Sequence, residues 1–157
     1  MDIGSTLLDV FRQHKIIDPS IESIMKNYME KWGCSCTQAI LEIHLMSETE
    51  LANHLAQIFN VTRILDIREF PYDKNVIRLL PYSFAKQREC LAISRDEFDH
   101  AAVTVVMADP SDIDAIENVK KILGGKVFFA VTERMDLNEA IDSFYSLEDQ
   151  LPILFAK

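Results

Sequence analysis

The sequence predicts an α+β fold, in which an N-terminal bundle of about four short helices is followed by a small sheet covered by helices. Two observations carry this prediction. The first sixty or so residues show only the three- and four-residue spacing of apolar side chains that is typical of amphipathic helices. Beyond Val61 the pattern changes, and short Val-rich runs bounded by turn residues alternate with helical segments.

Local signals divide the first part of the chain into helices. Asp18 followed by Pro19 is typical of an N-cap with proline in the first turn, so a second helix is predicted to begin there. Ser47 with Glu50 three residues later has the form of a capping box in front of a fourth helix. The apolar stripes of the four predicted helices are Leu7, Leu8 and Phe11; Ile21, Ile24, Met25, Tyr28 and Trp32; Ala39, Ile40 and Ile43; and Leu51, Leu55 and Ile58.

The second part is predicted to start with an irregular connection, after which helices cover one side of a sheet. Asp109-Pro110 repeats the cap-plus-proline signal and predicts a helix that Gly124-Gly125 ends. The other expected elements are a helix over 82–89, a hairpin of strands over 90–94 and 102–108, a strand over 127–131, and a helix with Leu137, Ala140, Ile141 and Phe144. The predicted domains are a helical subdomain (1–62), a connection (63–75), an α+β subdomain (76–147) and a tail or linker (148–157).

Composition narrows the classes of partner. A formal net charge of −9 argues against binding to nucleic acid or to anionic membranes, because both require a positive protein surface. The longest strongly apolar run, 101–108, is too short to cross a bilayer, and the N-terminus lacks the basic start and apolar run of a secretion signal. Three cysteines do not form a disulfide framework. We therefore expect a cytoplasmic protein without direct membrane insertion.

No set of residues in the sequence predicts catalysis. The four glycines fit neither phosphate-binding loop pattern. Cys34, Cys36 and His44 lack the paired spacing of a tetrahedral metal site, and Cys90, at the start of a predicted strand, is interpreted as a core residue. The acidic cluster of Asp109, Asp112 and Asp114 could hold a hard cation, but helix capping is the preferred interpretation. We expect no catalytic residue, no metal and no tightly bound cofactor.

Motifs in the second half resemble a known family. They are Leu79-Leu80-Pro81 with Ala85, Val105-Val106-Met107-Ala108-Asp109-Pro110 with Asp112 and Ala115, Gly124-Gly125-Lys126-Val127, and Leu137, Ala140, Ile141 and Tyr145. Over residues 76–145 the sequence resembles the N-terminal domain of type II secretion and type IV pilus assembly ATPases. The resemblance implies a non-catalytic adaptor or regulatory domain that precedes a motor ATPase and docks onto the cytoplasmic domain of an inner-membrane assembly protein.

The first half is similar to the helical part of the same family, in which some members bind cyclic di-GMP through two tandem helix-turn-helix units. One unit here runs from Leu8 through Ile17 to Ile24, and the other from Thr37 to Gln57. In nucleotide-binding members each unit has an Arg-Leu-Gly start and a turn glycine that lets the backbone approach the ligand. This sequence lacks both openings, and Lys15 and His44 stand at the turn positions.

The resemblance leaves two functions open. The first is the protein-docking adaptor, and the alternative is a cyclic di-GMP receptor. In the alternative, leucines form the ligand surface while polar side chains reach phosphates or guanine edges. The competing interpretation is that the same leucines are helical core. The candidate ligand-binding residues are Leu7, Leu8, Arg12, Lys15, Leu41, Leu45 and Gln57.

Overall fold

The computed structural model describes residues 3–154, with side chains from residue 7 to residue 150. The chain forms two compact units, Met1–Leu51 and Ala52–Lys157. The division falls inside a helix, whereas the sequence prediction ends the helical subdomain at residue 62, after that helix has finished. Within residues 3–154, no helix is both long and apolar enough to span a membrane.

The first unit is helical, as predicted. Its helices are α1 (Ile3–Gln13), α2 (Pro19–Trp32), α3 (Cys36–Glu42) and the start of α4 (Glu48–Phe59). The Asp18 side chain accepts a hydrogen bond from the Ile21 amide at 2.9 Å, which confirms the predicted N-cap of α2. Ser47 and Glu50 exchange the two bonds of a capping box before α4, as predicted. The fully buried side chains of this unit include Leu8, Phe11, Met25 and Ile40.

The second unit is built around a four-stranded mixed sheet. Its strands are β1 (Thr62–Arg63), β2 (Cys90–Arg95), β3 (Val103–Met107) and β4 (Val127–Val131), in the order β1-β4-β3-β2. β4 pairs parallel to both β1 and β3, whereas β2 and β3 form the predicted antiparallel hairpin. The helices of this unit are a 3₁₀ turn (Ile67–Glu69), α5 (Lys74–Ile77), α6 (Tyr82–Arg88), α7 (Ile113–Leu123), α8 (Arg134–Phe144) and α9 (Leu147–Leu154).

Helices cover both faces of the sheet, so the expectation of one covered side is wrong. On one face Leu91 of β2 and Val106 of β3 pack with Leu137 and Ile141 of α8. On the other face Val105 packs in a cluster with Ala115 and Val119 of α7. Because successive side chains of a strand point to opposite faces, the buried run in β3 needs apolar partners on both sides. The α+β class itself is confirmed.

Three local predictions need correction. The segment from 62 to 75 is not irregular throughout, since it contains β1, the 3₁₀ turn and the start of α5. Asp109-Pro110 does not cap α7, because the Asp109 carboxylate accepts from Ser111, and Asp112 takes the N-cap position by accepting from the Ala115 amide. The tail continues as α9, whereas Phe155, at the end of the predicted linker or strand, lies outside the described residues.

Candidate functional site

Two turns of the first unit share one backbone geometry. After α1, Lys15 has a φ of 58°, and the Ile16 amide donates to the Phe11 carbonyl at 2.9 Å. After α3, His44 has a φ of 57°, and the amide of residue 45 donates to the carbonyl of Ile40 at 3.0 Å. Such a bond closes a helix end around a left-handed residue, which is usually glycine. The two predicted turn positions therefore adopt the backbone that glycine favours, although a lysine and a histidine occupy them.

The equivalence of the two turns extends into the helices that follow. Aligning the sequence of the two units on Lys15 and His44 pairs Asp18, the N-cap of α2, with Ser47, which begins the capping box of α4. One turn further, the same alignment pairs Glu22 of α2 with Leu51 of α4. Both residues are buried, at 8% and 5% exposure, although one is an acid and the other a hydrocarbon. This helix-turn-helix repeat is the candidate functional site.

The leucines proposed as a ligand surface differ in exposure. Leu7 and Leu8 of α1 are 2% and 0% exposed and belong to the core of the first unit. Leu41 at the end of α3 and Leu45 just after the turn are only half-buried. Of these four leucines, only the two of the second repeat unit are therefore accessible to a ligand.

The three polar candidates also differ in their surroundings. Lys15 is exposed at its turn, and Gln57 is exposed on the part of α4 that belongs to the second compact unit. Arg12 lies in the last turn of α1, where its Nε is 3.1 Å from Glu22 Oε2 and its guanidinium is 3.5 Å from Asp9. Arg12 is therefore held by carboxylates of its own unit.

Sequence reasoning missed Glu22 as part of this site. The available signal was a charged residue between Ile21 and Met25, inside the apolar stripe of α2. An acid in such a position either turns to the surface or finds a cation. Glu22 is paired with cations, since its Oε1 lies 3.1 Å from the ammonium of Lys26 in addition to the contact of Oε2 with Arg12.

A second polar group lies between α2 and α3. The Tyr28 hydroxyl donates to Glu42 at 2.5 Å, and this hydrogen bond raises the pKa of Tyr28 to about 12. Trp32 is 63% exposed beside Tyr28, with ring centroids 6.3 Å apart. Cys34 is half-buried, and partial burial raises its pKa. The unit therefore presents aromatic surface next to these groups.

The metal and nucleophile candidates are explained by structure. Among the described side chains, no three His, Cys, Asp or Glu residues converge as a metal site. Arg88 instead bridges Asp112 and Asp114 at 3.1 Å from each. Cys90 is fully buried at the start of β2, and burial raises the pKa of its thiol to about 12.

The chain is similar to proteins of a known family. The family model described as the MshEN domain matches residues 59–151, more than half of the chain. The type IV pilus assembly ATPase PilB of Myxococcus xanthus (strain DK1622) is 26% identical over 137 residues, which cover 83% of this chain and 24% of that relative. The chain thus spans about a quarter of the length of that curated relative.

Two solved structures share the fold. A structure of MshE with cdg superposes with a TM-score of 0.74 at 24% sequence identity, covering 88% of this chain and 98% of that one. A structure of the N-terminal domain of XpsE gives a TM-score of 0.72 at 17% identity, covering 93% and 98% of the two chains. Both superpositions therefore include most of the residues that the structure describes.

Proposed function

The chain belongs to the MshEN domain family, and from this premise we propose that it is a non-catalytic regulatory domain of a secretion or pilus-assembly ATPase. The family membership agrees with the resemblance that the sequence predicted. The match to residues 59–151, which contain all four strands of the sheet, is the observation that carries the proposal. The domain acts in the cytoplasm by docking onto the cytoplasmic domain of an inner-membrane assembly protein and by transmitting that contact to a motor ATPase.

Exposed aromatic side chains support docking as the mode of action. Phe98, at the tip of the β2–β3 hairpin, is 91% exposed, and Trp32 on α2 is 63% exposed. The backbone of the Phe98 turn is held by hydrogen bonds, because Asp96 accepts from the amides of residues 98 and 99 and Lys126 pairs with Asp99 at 2.6 Å. Exposed aromatic side chains are favourable anchors at protein interfaces.

The docking proposal is tested by titrating the protein with the purified cytoplasmic domain of the inner-membrane assembly protein from the same system. We expect saturable binding that Phe98→Ala or Trp32→Ala weakens about tenfold or more, as truncation of an interface hot spot does. Leu65→Ala is the matched control, since Leu65 is 75% exposed but belongs neither to the Phe98 turn nor to α2. No binding by the wild-type protein, at partner concentrations up to about 100 μM, would reject the docking function.

A second function, cyclic di-GMP reception, is favoured by the helix-turn-helix repeat and by the MshE structure with that ligand. The two left-handed turns at Lys15 and His44 have the backbone geometry that a turn glycine would give. Their exposed side chains, a lysine and a histidine, carry N–H groups that can donate hydrogen bonds to the phosphate oxygens of a cyclic dinucleotide.

Isothermal titration with cyclic di-GMP at moderate salt tests this second function. We expect micromolar or tighter binding, and tighter binding by the double variant Lys15→Gly with His44→Gly, because glycine lets the backbone approach the ligand. Asn60→Gly is the control, since Asn60 also has a positive φ, 53°, but does not stand in either turn of the repeat. Absence of heat for the wild type and the glycine variant would leave the docking domain as the function.

A further inference from the structure

Glu22 is the residue at which the two units of the repeat differ most in chemistry. In the second repeat unit, Leu51 stands at the equivalent position and is 5% exposed, so a hydrocarbon side chain is enough to pack that position. In the first repeat unit, Glu22 is buried to nearly the same extent, although it carries a carboxylate. Burial of a carboxylate is unfavourable unless cations or hydrogen bonds compensate it.

The compensation comes from two cations that are themselves about half exposed. Arg12 Nε lies 3.1 Å from Glu22 Oε2, and Lys26 Nζ lies 3.1 Å from Oε1, while the Glu22 side chain keeps 11% of its exposure. Oε2 accepts no well-formed hydrogen bond from any residue that the structure describes. The carboxylate therefore depends on Arg12 and Lys26 for its charge balance, and it neutralises the two cations in turn.

Arg12 lies in the last turn of α1, three residues before Lys15 of the left-handed turn of the first repeat unit. An arginine there could bind a phosphate oxygen through two parallel N–H donors. Glu22 occupies the Nε side of this guanidinium, and Asp9 approaches it from within α1. An incoming phosphate must either displace the Glu22 carboxylate or bind beside it.

We propose that Glu22 is a positioning residue that withholds Arg12 from anionic ligands, so that it sets the affinity of the first repeat unit for a cyclic dinucleotide. This inference rests on the receptor function proposed above. A hydrogen bond from a charged donor such as Arg12 to a phosphate oxygen strengthens binding by roughly tenfold or more. Removing the Glu22 charge should therefore strengthen binding of cyclic di-GMP about tenfold, and the gain should require Arg12.

The test is a calorimetric titration of the full chain with cyclic di-GMP, using wild type, Glu22→Gln, Glu22→Leu, and Glu22→Gln combined with Arg12→Ala. Glu22→Gln keeps the shape of the side chain, and Glu22→Leu introduces the residue that the second repeat unit has at the equivalent position. Glu30→Gln is the matched control, since Glu30 is an exposed acid eight residues, or about 12 Å, further along α2. Inorganic phosphate serves as a second ligand that carries the charge without the dinucleotide.

The proposal predicts an approximately tenfold lower Kd for Glu22→Gln and Glu22→Leu, no change for Glu30→Gln, and loss of the gain when Arg12 is also removed. If wild type binds and both Glu22 variants bind equally well, the inference is overturned while the receptor function stands. If no variant binds, the receptor function fails together with the inference. A gain for inorganic phosphate is also expected, because Arg12 would bind its oxygens too, and its absence would overturn the assignment of the effect to Arg12.

Discussion

The hydroxyl of Tyr145 makes a buried side-chain hydrogen bond in the second unit, and its removal has a calculable effect. Tyr145 is 3% exposed, and its hydroxyl donates to the carbonyl of Leu80 at 2.7 Å. In Tyr145→Phe the ring stays in place against Tyr82, 5.3 Å away, but the carbonyl loses its donor. A buried carbonyl left without a partner costs about 1–3 kcal/mol. We expect the free energy of unfolding to fall by about 1–2 kcal/mol, because the added apolar character of phenylalanine offsets part of this loss.

Urea unfolding followed by far-UV circular dichroism measures the change. The midpoint should decrease at unchanged m-value, which identifies lost stability rather than altered compactness. Tyr72→Phe is the control, because Tyr72 is 43% exposed and stacks on Phe144 through its ring, 4.2 Å between centroids. Equal midpoints for Tyr145→Phe and wild type would refute the assignment of stability to this bond.

Four further predictions concern local structure. Burial raises the pKa of Cys90 to about 12, so at pH 8 iodoacetamide should modify the half-buried Cys34 and spare Cys90 until the protein unfolds, as peptide mass spectrometry would detect. Because folding raises the pKa of Cys90, the native state holds the thiol proton more tightly than the unfolded chain does. The stability that this difference contributes is complete below about pH 9 and is lost as the pH rises towards 12, which denaturation at a series of pH values would show. Gly124→Ala should destabilise the protein by about 1 kcal/mol, since Gly124 ends α7 at a φ of 66°, whereas Gly125→Ala, without a positive φ, should change the urea midpoint little. Asp112→Ala should lower the same midpoint by about 1 kcal/mol in unfolding free energy through loss of the α7 N-cap, and an unchanged midpoint would contradict the cap assignment.

Elements with local signals could be predicted from the sequence. The caps at Asp18 and Ser47, the β2–β3 hairpin and the glycine end of α7 each depend on residues within a few positions of one another. β1 could not be predicted, because two residues are too few to show alternation, and its partner in β4 is far along the chain. α9 was missed because residues 148–157 were assigned to a tail or linker, although Ser146 and Asp149 exchange capping hydrogen bonds at its start.

The candidate site was predictable only in part. The turn positions at Lys15 and His44 follow from laying the two repeat units side by side, and both have positive φ. The burial of Leu7 could not be separated from ligand contact by spacing alone, since core leucines and ligand-facing leucines follow the same helical period. The ion pair of Arg12 with Glu22 joins two helices across a turn, and only the folded backbone shows that distance.

The strand order of the second unit has a consequence for the way in which the chain assembles. β4 is the last strand in sequence but lies inside the sheet, where it pairs with β1 through Thr62 and Ala130 and with β3 along its whole length. During synthesis the hairpin of β2 and β3 can form early, whereas β1 has no partner until residue 131 has left the ribosome. The sheet therefore closes late and through contacts of long sequence separation, which slows folding relative to the helical first unit. Any shortened version of this chain that ends before β4 loses two strands at once.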